Sequence, residues 1–459
     1  MTRTRLPSAC PPLPTRRQVL ASLGAAALPA WAAAPAKVTM APLPLRERML
    51  ANGLQVVAIP DRATATAAVQ VWYHVGSKDD PPGRSGFAHL FEHMMFKGTR
   101  HMAPEMFDRL TEDVGGINNA FTADDCTVYQ SEVPSNHLER LLWAEAERMA
   151  SLRVEQAGFE SERKVVQEEY RLRVLADPYG RFFNDLVAHA YAVHPYKRPG
   201  IGNIDDLNAA TLDDVRRFHA NFYRPDNAVL IVGGDFDPRQ LDAWIDLYFA
   251  PIPRPGSAIP RVDVVEPRRL ASRRDTLQAP NVPLPALALL WQGPPAAHAD
   301  APALKVASAL LAGGESSRLN QALVYRAQSA QQAGFDAQLN ADAGMLAAYA
   351  IAAAGQPLGR IEQQLRQEIG RLARGPIGAA ELDKVRTQLL TATLVGRQTP
   401  AGQADAVGWA LVLNGDARYA DGELARLQAV SAADVQRVLR RYVLDGHAVS
   451  VSYTQAGAA

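Results

Sequence analysis

The sequence predicts an α+β protein built as two homologous domains in tandem, each a mostly antiparallel sheet with helices packed on one face. Three observations lead there. Strand-like runs and amphipathic helical runs both occur in the first half. A single offset of 220 residues relates the two halves. Thr211, Asp214 and Val215 match Ser431, Asp434 and Val435, and Arg217 matches Arg437. Phe222 matches Tyr442, Ala228-Val229 matches Ala448-Val449, Lys164-Val165 matches Lys384-Val385, and Leu207 matches Leu427. The period is domain-sized and too long for a solenoid. Between the halves, residues 251–268 hold Pro251, Pro253, Pro255, Pro260 and Pro267, a stiff linker. This organisation places a first domain over 40–250 and a second over 269–455.

The first 32 residues stand apart. Arg16-Arg17 precede an Ala-rich apolar run that ends in the small-x-small site Ala30-Trp31-Ala32. Paired arginines directly before such a run read as a twin-arginine export signal, with a general secretory signal as the other reading. The expected address is the periplasm. No later apolar stretch is long enough to cross a bilayer, so the mature protein is expected to lack a membrane span. Cys10 leaves with the signal and Cys126 stays alone, which rules out an intrachain disulfide. With 48 basic and 48 acidic residues the chain shows no charge excess of the kind that binds nucleic acid.

Along the first half, Asn52-Gly53 makes a turn, and residues 54–59 and 67–74 read as strands. Residues 76–86 form a polar Pro/Gly loop. Helices are expected over 105–114, 137–153, 159–174 and 184–191, with a strand over 126–133 stopped at Pro134. Thr211 to Asp214 resembles a capping box with Asp in the Glu slot, opening a helix to Phe222. Residues 228–232 read as a core strand closed by Gly233-Gly234.

Residues 86–96 carry the chemistry. They contain His89-x-x-Glu92-His93 on an otherwise strongly apolar helix. Histidines four apart share one helix face, where both imidazoles reach the same ion. Two neutral imidazoles suit Zn²⁺, and a carboxylate that stays off the metal can take a proton from water. The order is that of an inverzincin. Burying three ionisable groups on so apolar a helix without a partner would be costly.

A catalytic zinc takes three protein ligands and keeps one position open. The next carboxylates lie on the helix around Glu160, Glu162, Glu168 and Glu169. If Val165, Val166, Tyr170 and Leu172 mark its inward face, Glu169 points to the middle of that face and Glu168 roughly 100° away. Glu169 is therefore the third-ligand candidate, Glu162 a supporting carboxylate behind it, and Glu168 solvated. In the second half the positions 220 residues on are Ala309, Ala312, Gly313 and Leu389, which cannot bind metal.

These motifs resemble the pitrilysin/insulinase family of inverzincin metallopeptidases, in particular its short bacterial and mitochondrial-processing-type members. The resemblance covers essentially the whole mature chain. It rests on His89-x-x-Glu92-His93, on Glu162 and Glu169, and on Gly115-Gly116. It rests also on Asn119-Ala120-x-Thr122-x-x-Asp125-x-Thr127-x-Tyr129 and on His194-Pro195-Tyr196. It implies that His89, His93 and Glu169 bind one zinc per chain and that Glu92 is the general base. It also implies that the segment of Asn119 and Ala120 is an edge strand to which substrate adds as a β-strand.

One departure stands out. The family's second domain carries an Arg followed seven residues later by Tyr, both contacting substrate. After the matching lead-in over 314–319, the nearest Arg is Arg326, and seven later stands Ala333. Aligning Leu323 with the family's Leu puts Val324 and Gln331 in the two slots instead. The Tyr is absent either way, and Arg326 is the substrate-binding candidate that remains.

The expectation is a periplasmic zinc endopeptidase acting on peptides or unfolded segments. The alternatives are a non-catalytic peptide-binding partner or chaperone of the same fold, and a zinc esterase or amidase. Long members of the family build a closed chamber from four such units. A two-unit chain is expected to dimerise, and the missing Tyr favours a heterodimer whose related partner supplies the Arg and Tyr pair. A homodimer is the other reading.

Overall fold

Val69, Val71 and Tyr73 of β3 (Thr66–Tyr73) pack on one side of their strand and Trp72 on the other, and both sides are buried. That double burial explains the architecture. The computed structural model describes residues 37–457, so the export signal read over 1–32 lies outside the described residues. Residues 37–39 carry no helix or strand, and the described residues from Met40 onward form one unit.

The first half contributes β1 (Arg46–Met49), β2 (Gln55–Pro60), β3, β4 (Ile117–Thr122), β5 (Thr127–Pro134) and β6 (Ala228–Gly234). Its helices are α1 (Phe87–Met94), α2 (Met106–Glu112), α3 (Leu138–Ser151), α4 (Gln156–Tyr170) and α5 (Gly180–Ala190). They continue with α6 (Ile204–Ala209), α7 (Leu212–Phe222) and α8 (Pro238–Tyr248). The second half contributes β7 (Arg273–Ala279), β8 (Ala286–Gly293), β9 (Ala330–Leu339), β10 (Gly344–Ala352) and β11 (Val449–Gln455). Its helices are α9 (Ala301–Ala312), α10 (Leu358–Arg374), α11 (Ala379–Gly396), α12 (Pro400–Asn414), α13 (Glu423–Ala429) and α14 (Ala432–Leu439).

The sheet orders are β1-β2-β6-β3-β5-β4 and β7-β11-β8-β10-β9. Without β1 they are the same order. Each sheet is antiparallel apart from one parallel pair, β2 with β6 and β7 with β11. The repeat extends to helix starts, since α3 begins at Leu138 and α10 at Leu358, and α5 begins at Gly180 and α12 at Pro400. The expected capping box of Thr211 with Asp214 forms, and Ser431 with Asp434 forms a second one at the matching positions, each of which contributes about 1 kcal/mol to its helix.

One face of each sheet packs on helices of its own half, as the sequence predicts. The opposite face is covered by a helix from the other half. Ala404, Val407 and Leu411 of α12 lie against Val57, Ile59, Trp72 and Ile231 of the first sheet. Phe182, Leu186 and Ala190 of α5 lie against Ala288, Leu290, Val451 and Tyr453 of the second. Gly408 lets α12 approach this closely, because a Cβ there would sit 2.1 Å from Trp72. The buried Gln70 completes the contact, taking the Trp72 indole N–H and donating to Ala401 O and Asp405.

Residues 253–270 carry no helix or strand, yet they are tied down. Glu266 accepts the backbone N–H groups of Ala192, Val193 and His194, and Arg261 donates to Asn227 and to His74 O. Among the described residues no helix is long and apolar enough to cross a membrane. Cys126 is buried and unpaired.

Candidate metal centre and its base

Helix α1 starts at Gly86, whose φ of +92° suits glycine and whose Cβ would meet Ile201 O at 2.8 Å. Asp80 caps that end, accepting from Gly86 N at 2.7 Å and Ala88 N at 2.8 Å. Phe87, Ala88, Leu90, Phe91 and Met94 bury the helix against the sheet. His89 and His93 are left facing α4, rings 4.9 Å apart and perpendicular.

From α4, Glu169 Oε2 reaches to 3.5 Å from Nε2 of His89 and 3.5 Å from Nε2 of His93. All three ligand atoms lie within 4.8 Å of one another. Donors about 2.0–2.1 Å from one ion at tetrahedral angles stand roughly 3.3–3.4 Å apart, so two nitrogens and one carboxylate oxygen at this spacing fit zinc. The His89 donor is in the right state as well. Burial pushes the His89 imidazole down to about 3, with His93 and Arg173 adding to the effect, which keeps its lone pair available.

Partners hold the cluster from behind. Glu162 Oε2 lies 3.4 Å from His93 Nδ1, and Glu162 Oε1 pairs with Lys97 at 3.0 Å. Burial works to lower the His93 imidazole, but the Glu162 hydrogen bond and the charges of Glu92 and Glu169 outweigh it and raise it. Burial likewise works to raise the Glu162 carboxyl, and the bonds to His93 and Lys97 outweigh it and hold it low. Arg173 Nη1 takes the second oxygen of Glu169 at 2.7 Å.

Glu92 sits beside this cluster. Thr122 donates to its Oε2 at 2.6 Å, and Oε1 has no hydrogen bond among the described residues. Burial raises its carboxyl, opposed by the Thr122 bond.

The structure thus brings together His89, Glu92, His93, Glu162 and Glu169. Asn119 and Ala120 lie on the edge strand β4, two to three residues before Thr122. Arg326 is elsewhere. It is exposed at the end of a wide helical turn in the second half, lining a groove with Leu323, Gln364 and Glu368. Glu168 turns outward to Arg171.

The helix-face argument needs a correction. Val165 is 45% exposed and Leu172 62%, so neither marks the inward face of α4. That face centres on Phe159, Glu162 and Val166, from which Val165 and Leu172 are turned by about 100°. Glu169 lies on its margin, where it can meet the histidines. Sequence reasoning did not assign Thr122 or Arg173 to the site. Arg173 is four residues after Glu169, a spacing that signals a helical ion pair.

The second half has no counterpart. Ala309 and Ala312 of α9, Gly313 and Leu389 of α11 stand at the equivalent positions, and His89, His93 and Glu169 are the only potential metal cluster among the described residues.

Comparison with known proteins agrees with this division. Residues 55–203 match the insulinase domain of peptidase family M16, and residues 209–389 match the domain described as the inactive domain of peptidase M16. The zinc protease PqqE of Helicobacter pylori is 32% identical over 416 residues, covering 89% of this chain and 93% of that protein. A probable mitochondrial-processing peptidase subunit beta of Arabidopsis thaliana is 25% identical over 410 residues, 87% of this chain and 76% of that one. The crystal structure of a protease from Helicobacter pylori superposes with a TM-score of 0.87 at 29% identity, covering 90% of this chain and all of that one. The histidine pair, its carboxylates and the doubled fold are those of a metallopeptidase, and the chain belongs to the insulinase family, peptidase family M16.

Proposed function

We propose that this chain is a zinc-dependent endopeptidase of the periplasm that hydrolyses peptides or unfolded polypeptide segments. The observation that carries the reading is the convergence of His89 Nε2, His93 Nε2 and Glu169 Oε2 beside the Glu92 carboxyl. One zinc per chain, held by these three side chains, would lower the pKa of a bound water to about 7 and polarise the scissile carbonyl.

The chain's own residues supply the rest. Glu92 is the general base, taking the proton of the attacking water and passing it to the leaving amine nitrogen. With Oε2 held by Thr122, the free Oε1 is the atom that takes it. Glu162 and Lys97 fix the His93 ring, and Arg173 holds the far oxygen of Glu169.

Strand β4 offers the substrate an edge. Its neighbour β5 lies on one side only. Ala123 N bonds to Cys126 O, so the antiparallel alternation turns the backbone groups of Asn118, Ala120 and Thr122 outward. The Asn119 side chain now accepts the Ala120 N–H at 2.9 Å, and an extended substrate would take its place. Backbone pairing of this kind gives loose sequence preference.

The periplasmic address rests on the paired arginines and the small-residue cleavage site over 1–32. The absence of the family's Tyr favours a heterodimer with a related subunit that brings an intact Arg and Tyr pair. The test is to assay the purified protein, alone and with a co-encoded relative, on quenched peptides with and without a chelator. Chelator-sensitive cleavage supports the reading, and zinc-loaded protein that cleaves no peptide in either state contradicts it.

A further inference from the structure

We propose that the turn between β9 and β10, in the half without a metal site, is a positioning device for Glu92. It acts through Asp124, Asp125 and Thr122. The inference rests on the assignment of Glu92 as the base.

Residues 123–126 join β4 to β5 and carry two adjacent aspartates. Both accept from the second half. Asp124 Oδ2 takes Asn340 Nδ2 at 2.6 Å and Gln338 Nε2 at 3.0 Å. Asp125 Oδ2 takes the Ala341 backbone N–H at 2.9 Å. The first half grips the same pair. Ser77 donates to Asp124 at 2.8 Å, and Lys78 reaches both Asp125 and Asp342 at 2.8 Å. The Tyr196 hydroxyl donates to Asp125 and accepts the Asp342 N–H. Tyr196 is buried, and its backbone N–H is capped by the His194 ring. The Asp125 and His194-Pro195-Tyr196 motifs, which the metal chemistry does not use, meet here.

The residue just before this turn is Thr122, the last of β4, and it holds Glu92 Oε2 at 2.6 Å. Strand β4 is an edge strand with a partner on one side only, so its end at the base is constrained less than an interior strand. A hydrogen bond that must hold a reacting carboxylate needs its donor fixed to a fraction of an ångström. The second half adds to that restraint, through Asn340, Gln338 and the Ala341 backbone N–H. Without a metal cluster of its own among the described residues, it keeps a structural hold on the base of the first half.

The test combines amide hydrogen exchange with a kinetic cycle on the full-length zinc-loaded protein, assembled with its partner where turnover requires one. Asn340→Ala and Gln338→Ala each remove one donor to Asp124, and Gln338 is exposed, so its variant keeps the fold. Both variants should speed exchange over residues 118–126 while α1 and β6 keep wild-type rates. Thr122→Val should lower kcat on a quenched peptide by about tenfold or more, the effect of one hydrogen bond to a charged group. Asn340→Ala should lower kcat at unchanged zinc content, and adding it to Thr122→Val should cost little more, because both act through one bond. Unchanged exchange over 118–126, or kcat losses that multiply in the double variant, overturns the proposal. The base assignment is read separately from Glu92→Gln, and a Glu92→Gln protein without turnover leaves that assignment standing when the positioning proposal fails.

Discussion

Glu169 Oε2 stands 3.5 Å from His93 Nε2, while the adjacent Glu168 turns away to Arg171. Neighbours in sequence, the two carboxylates differ by one helical step and by everything that matters for a metal. Glu169→Ala is expected to lose most bound zinc, and Glu168→Ala to keep it. Metal analysis of the purified proteins decides this. Full zinc in Glu169→Ala with loss in Glu168→Ala would reverse the assignment.

Glu162 touches the histidine from the side opposite the ligand atom, through His93 Nδ1. Such supporting carboxylates orient the ring and raise its basicity. Glu162→Gln is expected to keep the fold and weaken zinc affinity roughly ten- to a hundredfold. Competition against a chelator of known affinity measures it.

Much of this site is legible in the sequence, and the reasons for the remainder are physical. The spacing of His89, Glu92 and His93 is local, and a helix converts it directly into a shared face. The 220-residue offset between Thr211 and Ser431 exposes the doubled fold, because caps and core strands constrain residue type. Thr122 escapes assignment because its bond to Glu92 crosses thirty positions of chain and depends on how β4 lies over α1. The exchange of α5 and α12 between sheets escapes for a similar reason. An apolar helix stripe shows that it will be buried and is silent on which sheet buries it. The face of α4 shows the limit of periodicity, since Val165 and Leu172 are apolar and exposed.

The junction between the halves has an acid limit. The His194 imidazole 3.6 Å away and then Lys78 hold the Asp342 carboxyl well below the usual carboxylate range, against the opposing effect of burial. A carboxyl depressed in the folded state stabilises the fold above its unfolded value of about 3.9 and loses that contribution as pH falls through the folded value. Asp342→Asn should therefore be less stable than the wild type at pH 7, with the gap closing below about pH 4. Urea midpoints at pH 7 and pH 3 give the comparison, and a gap that is constant with pH would show that Asp342 acts through shape alone.

The proposed heterodimer is tested through the second half. Gln331 and Ala333 lie on β9 where the family's Tyr is expected, under the two alignments of the preceding segment. Mixing this chain with a related subunit that carries the Arg and Tyr pair should raise both turnover and mass in solution, read by peptide assay and light scattering. A lone chain that cleaves at full rate, with neither quantity changed by the partner, would point to a homodimer instead.

The central claim is that Glu92 is the base of a zinc-dependent hydrolysis, and Glu92→Gln tests it most directly. Gln keeps the shape and still accepts the Thr122 hydroxyl, but it takes no proton near neutral pH. Zinc content and peptide turnover are measured on the same preparation. The account predicts one zinc per chain as in the wild type and a rate lower by roughly a hundredfold to ten-thousandfold. Near-normal turnover at full zinc content would contradict it and assign the proton transfer to another group.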